Sequence, residues 1–346
     1  GASQMAHNHS IEVRRVLSSV ISPSQLERTA REEGFIQRAR KVDPVAFFWT
    51  LVLGFGAGAE KSLASLRRCY ALHAGAMLVP SAFYDRFTPA LAQWLQRILL
   101  EVLQKSTGPA RALRGRLSTF IDLMAIDGTV VRLHDLLERA YPACRTNHTK
   151  AAAKLTVVMS VTGKGAHSVQ LSAERRNDSK LLRVGPWVKD RLLLFDLGYY
   201  GYRLFQNIAR QGGFFVTRLK TNANPIIVSV LNGSKADAAL EGTPLQNALA
   251  GLRRSTLDAI VRVRYKNNRG RWLRAEFRLV ALRNRETKKY HLYITNVPED
   301  RLSAEDIGKT YAVRWEIEIL FRQLKSQFRL EEMPSANRDA VHALLY

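Results

Sequence analysis

Apolar and polar positions follow three successive patterns along this chain, and the changes between them mark its organisation. From residue 11 to about 115 the spacing is helical throughout. Ser22-Pro23-Ser24, Asp43-Pro44, Pro80-Ser81 and Thr88-Pro89 carry the Pro-at-first-turn signal, so each predicts a helix start. Residues 62–87 read as helix, short turn, helix, with Ser81 to Arg86 opening the second helix. That spacing suits a DNA-reading helix-turn-helix, and it suits any pair of antiparallel helices.

From Leu117 the pattern becomes β-like. FIDLMAIDGTVVRLHD predicts a strand with Asp127 at its end or at a bulge, before Gly128, where the backbone can turn or a ligand can approach. Residues 154–162 form a second predicted strand, Gly163-Lys164-Gly165 its turn, and residues 169–173 a third. Asn177-Asp178-Ser179 is expected to cap a helix from near Lys180. RLLLFD, residues 191–196, is the continuous apolar run of a strand buried on both faces. It ends in Asp196, an acid that is costly there unless it meets a cation or a metal. A helix over 202–211 and the strand FFVTRLK complete a β-α-β order, hence an α/β sheet.

Between 222 and 297 the alternation turns strict. Residues 261–266 and 273–279 flank a turn at 267–270, and 290–295 form a third strand. One face is apolar; the other carries Arg262, Arg264, Lys266, Arg274, Glu276 and Arg278. Such cations either guard an edge strand or bind phosphate.

Residues 303–328 then predict one long helix. Ser303 caps it, with Asp306 three residues on, and Val313, Ile317, Leu320, Phe321, Leu324 and Phe328 make its apolar stripe. Tyr311, Arg314, Glu318 and Lys325 fall within roughly 60° of one another on the stripe's border, whereas Glu316 points elsewhere. This is either an i,i+4 ion pair on a solvated face or a carboxylate set among cations for chemistry.

Composition narrows the choice. The 346 residues carry a formal net charge of +23, which points to a polyanionic partner, nucleic acid before a membrane surface. No apolar run reaches the roughly 18 residues of a spanning helix. Two cysteines, Cys69 and Cys144, support neither a disulfide framework nor a zinc site, so a reduced, cytoplasmic setting is expected. Residues 1–10 read as an added polar tail, and the chain stops in mid-pattern at Tyr346.

Asp127, Asp196 and Glu318 come from three separate elements. Three carboxylates so supplied are what a pair of Mg2+ ions needs, and two such ions support in-line displacement at phosphorus. Asp122 and Asp178 are the competing acids, read as structural or capping residues.

The motifs Ile126-Asp127-Gly128-Thr129, Phe195-Asp196-Leu197-Gly198-Tyr199 and Tyr311…Arg314…Glu318…Lys325 resemble the DDE transposases of bacterial insertion sequences. The spacing of the third resembles the branch marked Y-(2)-R-(3)-E-(6)-K. Tyr141-Pro142, Asn177-Asp178-Ser179-Lys180, the run ending at Lys220 and Ile294-Thr295-Asn296 add to the likeness, which covers about 121–333. It implies an α/β fold: a ribonuclease H-like catalytic core, a β-rich insertion domain and an all-α N-terminal domain. The boundaries would be a helical DNA-binding domain at 11–116, the core at 117–221 and 298–346, and the insertion at 222–297. It implies Asp127, Asp196 and Glu318 as catalytic metal ligands for two Mg2+ ions, with Mn2+ able to substitute. Tyr311, Arg314 and Lys325 would hold DNA phosphate near the cut. An aromatic from the insertion's last strand would stack on a flipped base; that strand has no Trp, leaving Tyr290 or His291, while Trp272 and Trp315 read as packing residues.

The expected activity is that of a DNA transposase in the bacterial cytoplasm, at the nucleoid. It would bind terminal inverted repeats and target DNA as a homodimer, hydrolyse the strand at each end and join the freed 3′-hydroxyl to the target. A nuclease that cuts without joining, and a DNA-binding protein without catalysis, stay open as alternatives.

Overall fold

The computed structural model describes residues 2–38, 42–56, 62–106, 112–133, 135–144, 150–162, 166–175, 182–315, 318–319 and 339. Six helices come first: α1 Ala2–Val20, α2 Pro23–Glu32, α3 Pro44–Trp49, α4 Leu63–Ala74, α5 Pro80–Tyr84 and α6 Pro89–Ser106. The caps explain where they start. Ser22 Oγ accepts from the Gln25 amide, and Asp43 Oδ1 accepts from the amides of Val45 and Ala46. After α3 the chain continues through π-type turns over Thr50–Gly56. The bundle closes on Leu26, Phe47, Leu66, Phe83, Leu91 and Trp94, all fully buried. The helix-turn-helix expectation meets a short second helix: α5 has five residues, a length of about 7.5 Å.

Nine strands follow: β1 Asp122–Leu133, β2 Ala151–Ser160, β3 Ala166–Ala173, β4 Arg191–Phe195, β5 Phe214–Arg218, β6 Ile226–Val230, β7 Thr256–Lys266, β8 Trp272–Arg283 and β9 Tyr290–Thr295. Three more helices are described, α7 Tyr202–Arg210, α8 Leu245–Gly251 and α9 Ala304–Ala312. One sheet holds all nine strands of the described residues, in the order β3-β2-β1-β4-β5-β9-β8-β7-β6. β1 is antiparallel to β2 and parallel to β4, which is parallel to β5. That half has ribonuclease H-like order. The strands between 222 and 297 extend the same sheet, because β9 pairs antiparallel with β5. β6 and α8 are not among the expected elements, which in this stretch are the strands at 261–266, 273–279 and 290–295.

β4 is fully buried from Leu192 to Phe195, as its unbroken apolar run required. Alternation assigns the two sheet faces. Met124, Ile126, Leu193 and Phe195 pack on the side of α7; Leu123, Leu192, Leu194 and Val216 pack with Ile307 and Tyr311 of α9 on the other. The helical bundle meets the β3-β2-β1 end, where Val131, Leu133, Ala151 and Ala153 join its core and Gln96 Nε2 donates to the Val169 carbonyl.

Three expectations are corrected here. Asp127 is neither at a strand end nor in a bulge: β1 runs on to Leu133, and Asp127 pairs in register with Val157 of β2. Arg278 does not belong to an open cationic face. It is buried and bonded to Asp258, because β8 passes there beneath the loop that leads into α9. Trp272 and Trp315 are not packed: they are 59% and 52% exposed. The turn at Gly163-Lys164-Gly165, the cap at Asn177 to Ser179, and the helix positions Glu316, Ile317, Leu320, Phe321, Leu324, Lys325 and Phe328 lie outside the described residues. The helix expected from near Lys180 does not run on: residues 182–185 are irregular and Pro186–Val188 is a single 3-10 turn, since Pro186 disfavours helical backbone at the residue before it. Among the described residues no helix is long and apolar enough to cross a membrane.

Candidate active site

The register of β1 on β4 brings the two aspartates together. The ladder's last pair is Ile126 with Phe195, so Asp127 and Asp196 are the next residue of each strand. By alternation both follow Ala125 and Leu194 onto the face that α9 covers. Burial pushes the Asp127 carboxyl up, the Gly128 amide and Arg314 pull it back, and the charges of Asp196 and Glu318 raise it again. Asp127 Oδ1 accepts from the Gly128 amide at 2.8 Å; Asp196 Oδ1 accepts from the Gly198 amide at 2.9 Å and caps the turn that follows. Gly128 itself serves the opposite face. A Cβ there would lie 2.6 Å from Lys154 Cε and 3.3 Å from Tyr199 Oη, so its bareness admits two side chains of the protein.

α9 and the helical residues that follow it bring in the third acid. Ser303 and Asp306 form a capping box at its start. Arg278 Nη1 donates to the carbonyls of Val297 and Leu302, pinning the incoming loop, and Gly308 passes so close to Leu282 that a Cβ would lie 2.5 Å from Cδ1. Tyr311 packs on Tyr293 with ring centroids 5.4 Å apart. Val313 breaks the regular helix by one turn residue, and Arg314, Trp315, Glu318 and Ile319 are helical beyond it.

Arg314 ends up between two of the acids. Its Nη1 is 3.4 Å from Asp127 Oδ2 and its Nη2 is 3.2 Å from Glu318 Oε2. Its guanidinium lies 5.6 Å from the centre of the Tyr311 ring, and its Nε finds no partner among the described residues. Burial alone would lower the Arg314 pKa; Tyr311 and the two aspartates more than offset it and hold the cation charged. Arg314 and Tyr311, expected to face phosphate, are 7% and 5% exposed.

The donors are all hard carboxylate oxygens, the type Mg2+ prefers. As they stand, no three acidic, His or Cys side chains among the described residues are gathered tightly enough to hold a metal. A guanidinium occupies the ground between Asp127 and Glu318. The donor set fits the ion in chemistry.

The remaining expected site residues scatter. Arg262 is ion-paired with Glu276 at 2.7 Å. Arg264 and Lys266 lie over the Trp272 ring, 4.9 and 5.0 Å from its centre. The Tyr290 hydroxyl donates to the Arg254 carbonyl at 2.5 Å, which ties down the aromatic expected to stack on a base; His291 is exposed. Sequence reasoning missed Arg218, at the end of β5 and close enough to act on Tyr311. Its signal was present in the TRLK end of that strand.

Residues 118–346 match the family described as Transposase DDE domain. The chain belongs to the DDE transposase family. Similar proteins include the transposase for insertion sequence element IS231F of Bacillus thuringiensis subsp. israelensis, 22% identical over 95% of this chain and 76% of that protein. The transposase for IS1151 of Clostridium perfringens is 19% identical over 93% of this chain and 75% of its own length. The transposase for IS421 of Escherichia coli is 22% identical over 96% and 89%. As a DDE transposase, this chain is an enzyme that acts on DNA.

Proposed function

We propose that this transposase cuts DNA at the ends of an insertion sequence and joins the freed 3′-hydroxyl to target DNA, with Asp127, Asp196 and Glu318 as its catalytic residues. The observation that carries the proposal is the buried cation Arg314 held by Asp127 and Glu318, with Asp196 in the next register position. Carboxylates assembled at such expense over adjacent inner strands of the sheet are poised for a stronger cation. These three residues would hold Mg2+, with Mn2+ able to substitute. Two ions bound there would supply Lewis acidity and a nucleophile at neutral pH.

The chain's own groups do the rest. A water oxygen attacks phosphorus and the 3′-oxygen leaves as a hydroxyl. That hydroxyl then attacks a target phosphodiester, which joins the 3′ end to the target's 5′ phosphate and releases a target 3′-hydroxyl. Tyr311, Arg314 and Lys325 position the phosphate, the last two by charge-assisted contacts. Arg262, Arg264, Lys266 and His291 face the flanking DNA, and Tyr290 supports their sheet. Residues 11–116 bind DNA beside the core at 117–221 and 298–346, with 222–297 as the insertion. The net charge of +23 supports duplex DNA as the partner, both terminal repeats and target. Joining two ends calls for a homodimer in the DNA complex, in the bacterial cytoplasm at the nucleoid.

The test is cleavage of a labelled duplex carrying the element's end, with Mg2+ or Mn2+, by the wild type and by Glu318→Gln. Metal-dependent cutting lost in the variant is the expected result. Binding by both proteins with cutting by neither overturns the catalytic reading, and cutting without joined product leaves a nuclease.

A further inference from the structure

The far end of the β7–β8 hairpin is built differently from the rest of the sheet. β7 pairs with β6 only as far as Arg262, and β8 pairs with β9 only from Arg278. Residues 263–266 and 272–277 therefore stand out as a two-stranded ribbon with no further strand on either side among the described residues. One ribbon face is closed: Val263, Ala275 and Phe277 are buried, and Tyr265 packs on Tyr202 of α7 with ring centroids 5.9 Å apart. Arg203 of α7 also donates to the Asn268 side chain in the turn. The hairpin is thus backed by α7 and fixed in place.

The other face is open and cationic. Register sets Arg262 opposite Glu276, Arg264 opposite Arg274 and Lys266 opposite Trp272, all on one side. The first pair is neutralised by its ion pair. Beyond it three cations remain at paired positions of this face, Arg264, Lys266 and Arg274, and between Asp258 and Glu276 the chain contains no acid to answer them. Arg264 directly faces Arg274, an arrangement that costs stability unless an anion lies over it. Trp272 is 59% exposed, with Arg264 and Lys266 both stacked on its ring. Guarding the ribbon's free edges would need the charges alone. It would not need a large apolar ring exposed among them, which is itself an invitation to association.

We infer that this ribbon face is a second DNA-contact surface, which grips the phosphate backbone of duplex DNA through Arg264, Lys266 and Arg274, with Trp272 as the platform that holds two of those cations in place. It rests on the reading of the chain as DNA-binding and adds a place where that DNA runs. Leu282 lies under α9, and Trp272 is about ten residues back along the same strand, about 33 Å at ~3.3 Å per residue. The tip of the surface therefore lies about one duplex turn along β8 from that strand's contact with α9.

Phosphate contacts are blind to sequence, so the probe is a labelled duplex of about 40 base pairs of arbitrary sequence, titrated at several salt concentrations. The triple variant Arg264→Gln, Lys266→Gln, Arg274→Gln should bind about 10- to 100-fold more weakly at moderate salt. Its slope of log affinity against log salt should fall by about 2–3, one for each lost phosphate contact. Trp272→Ala should weaken binding by less, and Trp272→Phe should recover most of it. All four side chains are exposed, so melting temperatures should not fall, and relief of the facing arginines should raise that of the triple variant slightly; should the triple variant melt early, Lys266→Gln alone should still cost about one unit of slope. Unchanged affinity and slope overturn the inference, as does a loss seen only with single-stranded DNA. A wild type that binds no duplex overturns both this surface and the DNA-binding reading, whereas a wild type that binds but does not cut overturns only the catalytic one.

Discussion

Two buried arginines, Arg278 and Arg314, lie on the same face of this sheet, and each meets an aspartate. Arg278 is complete. Its Nε and Nη2 bond both oxygens of Asp258 at 2.8 and 2.6 Å, and its Nη1 donates to two carbonyls. Arg314 is not. Its contacts to Asp127 and Glu318 are 3.4 and 3.2 Å, and its Nε is unpartnered among the described residues. Burial costs both ions alike, yet only the first is repaid by full hydrogen bonding. The pair with every donor matched fastens β7 and β8 to the loop before α9. The pair with donors and acceptors left over joins Asp127 to Glu318 beside Asp196, the residues proposed above to take the metal. On the proposed function the loosely held arginine marks the site and the fully bonded one marks architecture.

The contrast breaks most sharply if the acids are neutralised one at a time. Glu318→Gln should lower metal-dependent cutting on the order of 10⁴-fold, since metal-held charge contributes several kcal/mol to the transition state. It should leave urea-unfolding stability within about 1 kcal/mol, because Arg314 keeps Asp127. A stability loss as large as the activity loss would put Glu318 on the architectural side.

Arg278→Met is the mirror experiment. It strands Asp258, which is 4% exposed, and removes the donor shared by the Val297 and Leu302 carbonyls. The expected cost is about 3–5 kcal/mol in equilibrium unfolding. The double variant with Asp258→Leu should recover much of that, since a buried pair replaced by apolar groups is often neutral. Failure of the double variant to recover would show that the two carbonyl bonds, and not the pair, carry the effect.

Arg314→Gln should divide the two roles within one residue. Its stability cost should be about 1–2 kcal/mol, smaller than at Arg278, because its bonds are longer and Glu318 is partly exposed. Cutting should fall about 10²-fold, the loss typical of one preorganised donor. A stability loss above that of Arg278→Met would erase the distinction drawn between the two pairs.

Much of this was legible beforehand, and the reasons are local. Proline behind a capping residue marked α2 and α3 because both signals act within one turn. β4 announced itself as an unbroken apolar run because it is covered on both faces. The acids stood out because Asp196 ends such a run and Glu318 lies four residues from Arg314. What stayed hidden depends on register across the sheet. That Arg278 would bury and Arg274 would not follows from where the loop before α9 crosses β8, which no alternation in β8 encodes. Asp127 was expected at a strand's end because Gly128 follows it; the strand continues because that glycine makes room for Lys154 and Tyr199 on the opposite face. β6 and α8 are short elements whose burial comes from neighbours distant in sequence, so their own periodicity is faint.

Gly308 offers the finest test, because it joins the two regions. It sits on α9 between the capping box and Tyr311, where the helix crosses β8, and a Cβ there would lie 2.5 Å from Leu282 Cδ1. Gly308→Ala gains about 1 kcal/mol of helix propensity. It also forces Leu282 to turn aside or α9 to rise, at a typical overpacking cost of about 1–3 kcal/mol. The net loss of stability should be about 1 kcal/mol, less than for either arginine variant. The direction of relief decides the functional readout. If Leu282 yields, cutting is unchanged, since the site end of α9 has not moved. If α9 lifts, Arg314 and Glu318 move with it, and the 3.4 Å contact to Asp127 is the first to open. Because Leu282 is half-buried, with β9 beside it, while α9 is held at its start by Arg278, lifting should pivot the helix at Ser303 and act most at Glu318. Cutting should then drop several-fold while the melting temperature changes little. The double variant Gly308→Ala, Leu282→Val should restore cutting by vacating that contact. If cutting stays low with the clash removed, the link between helix seating and the acids is wrong.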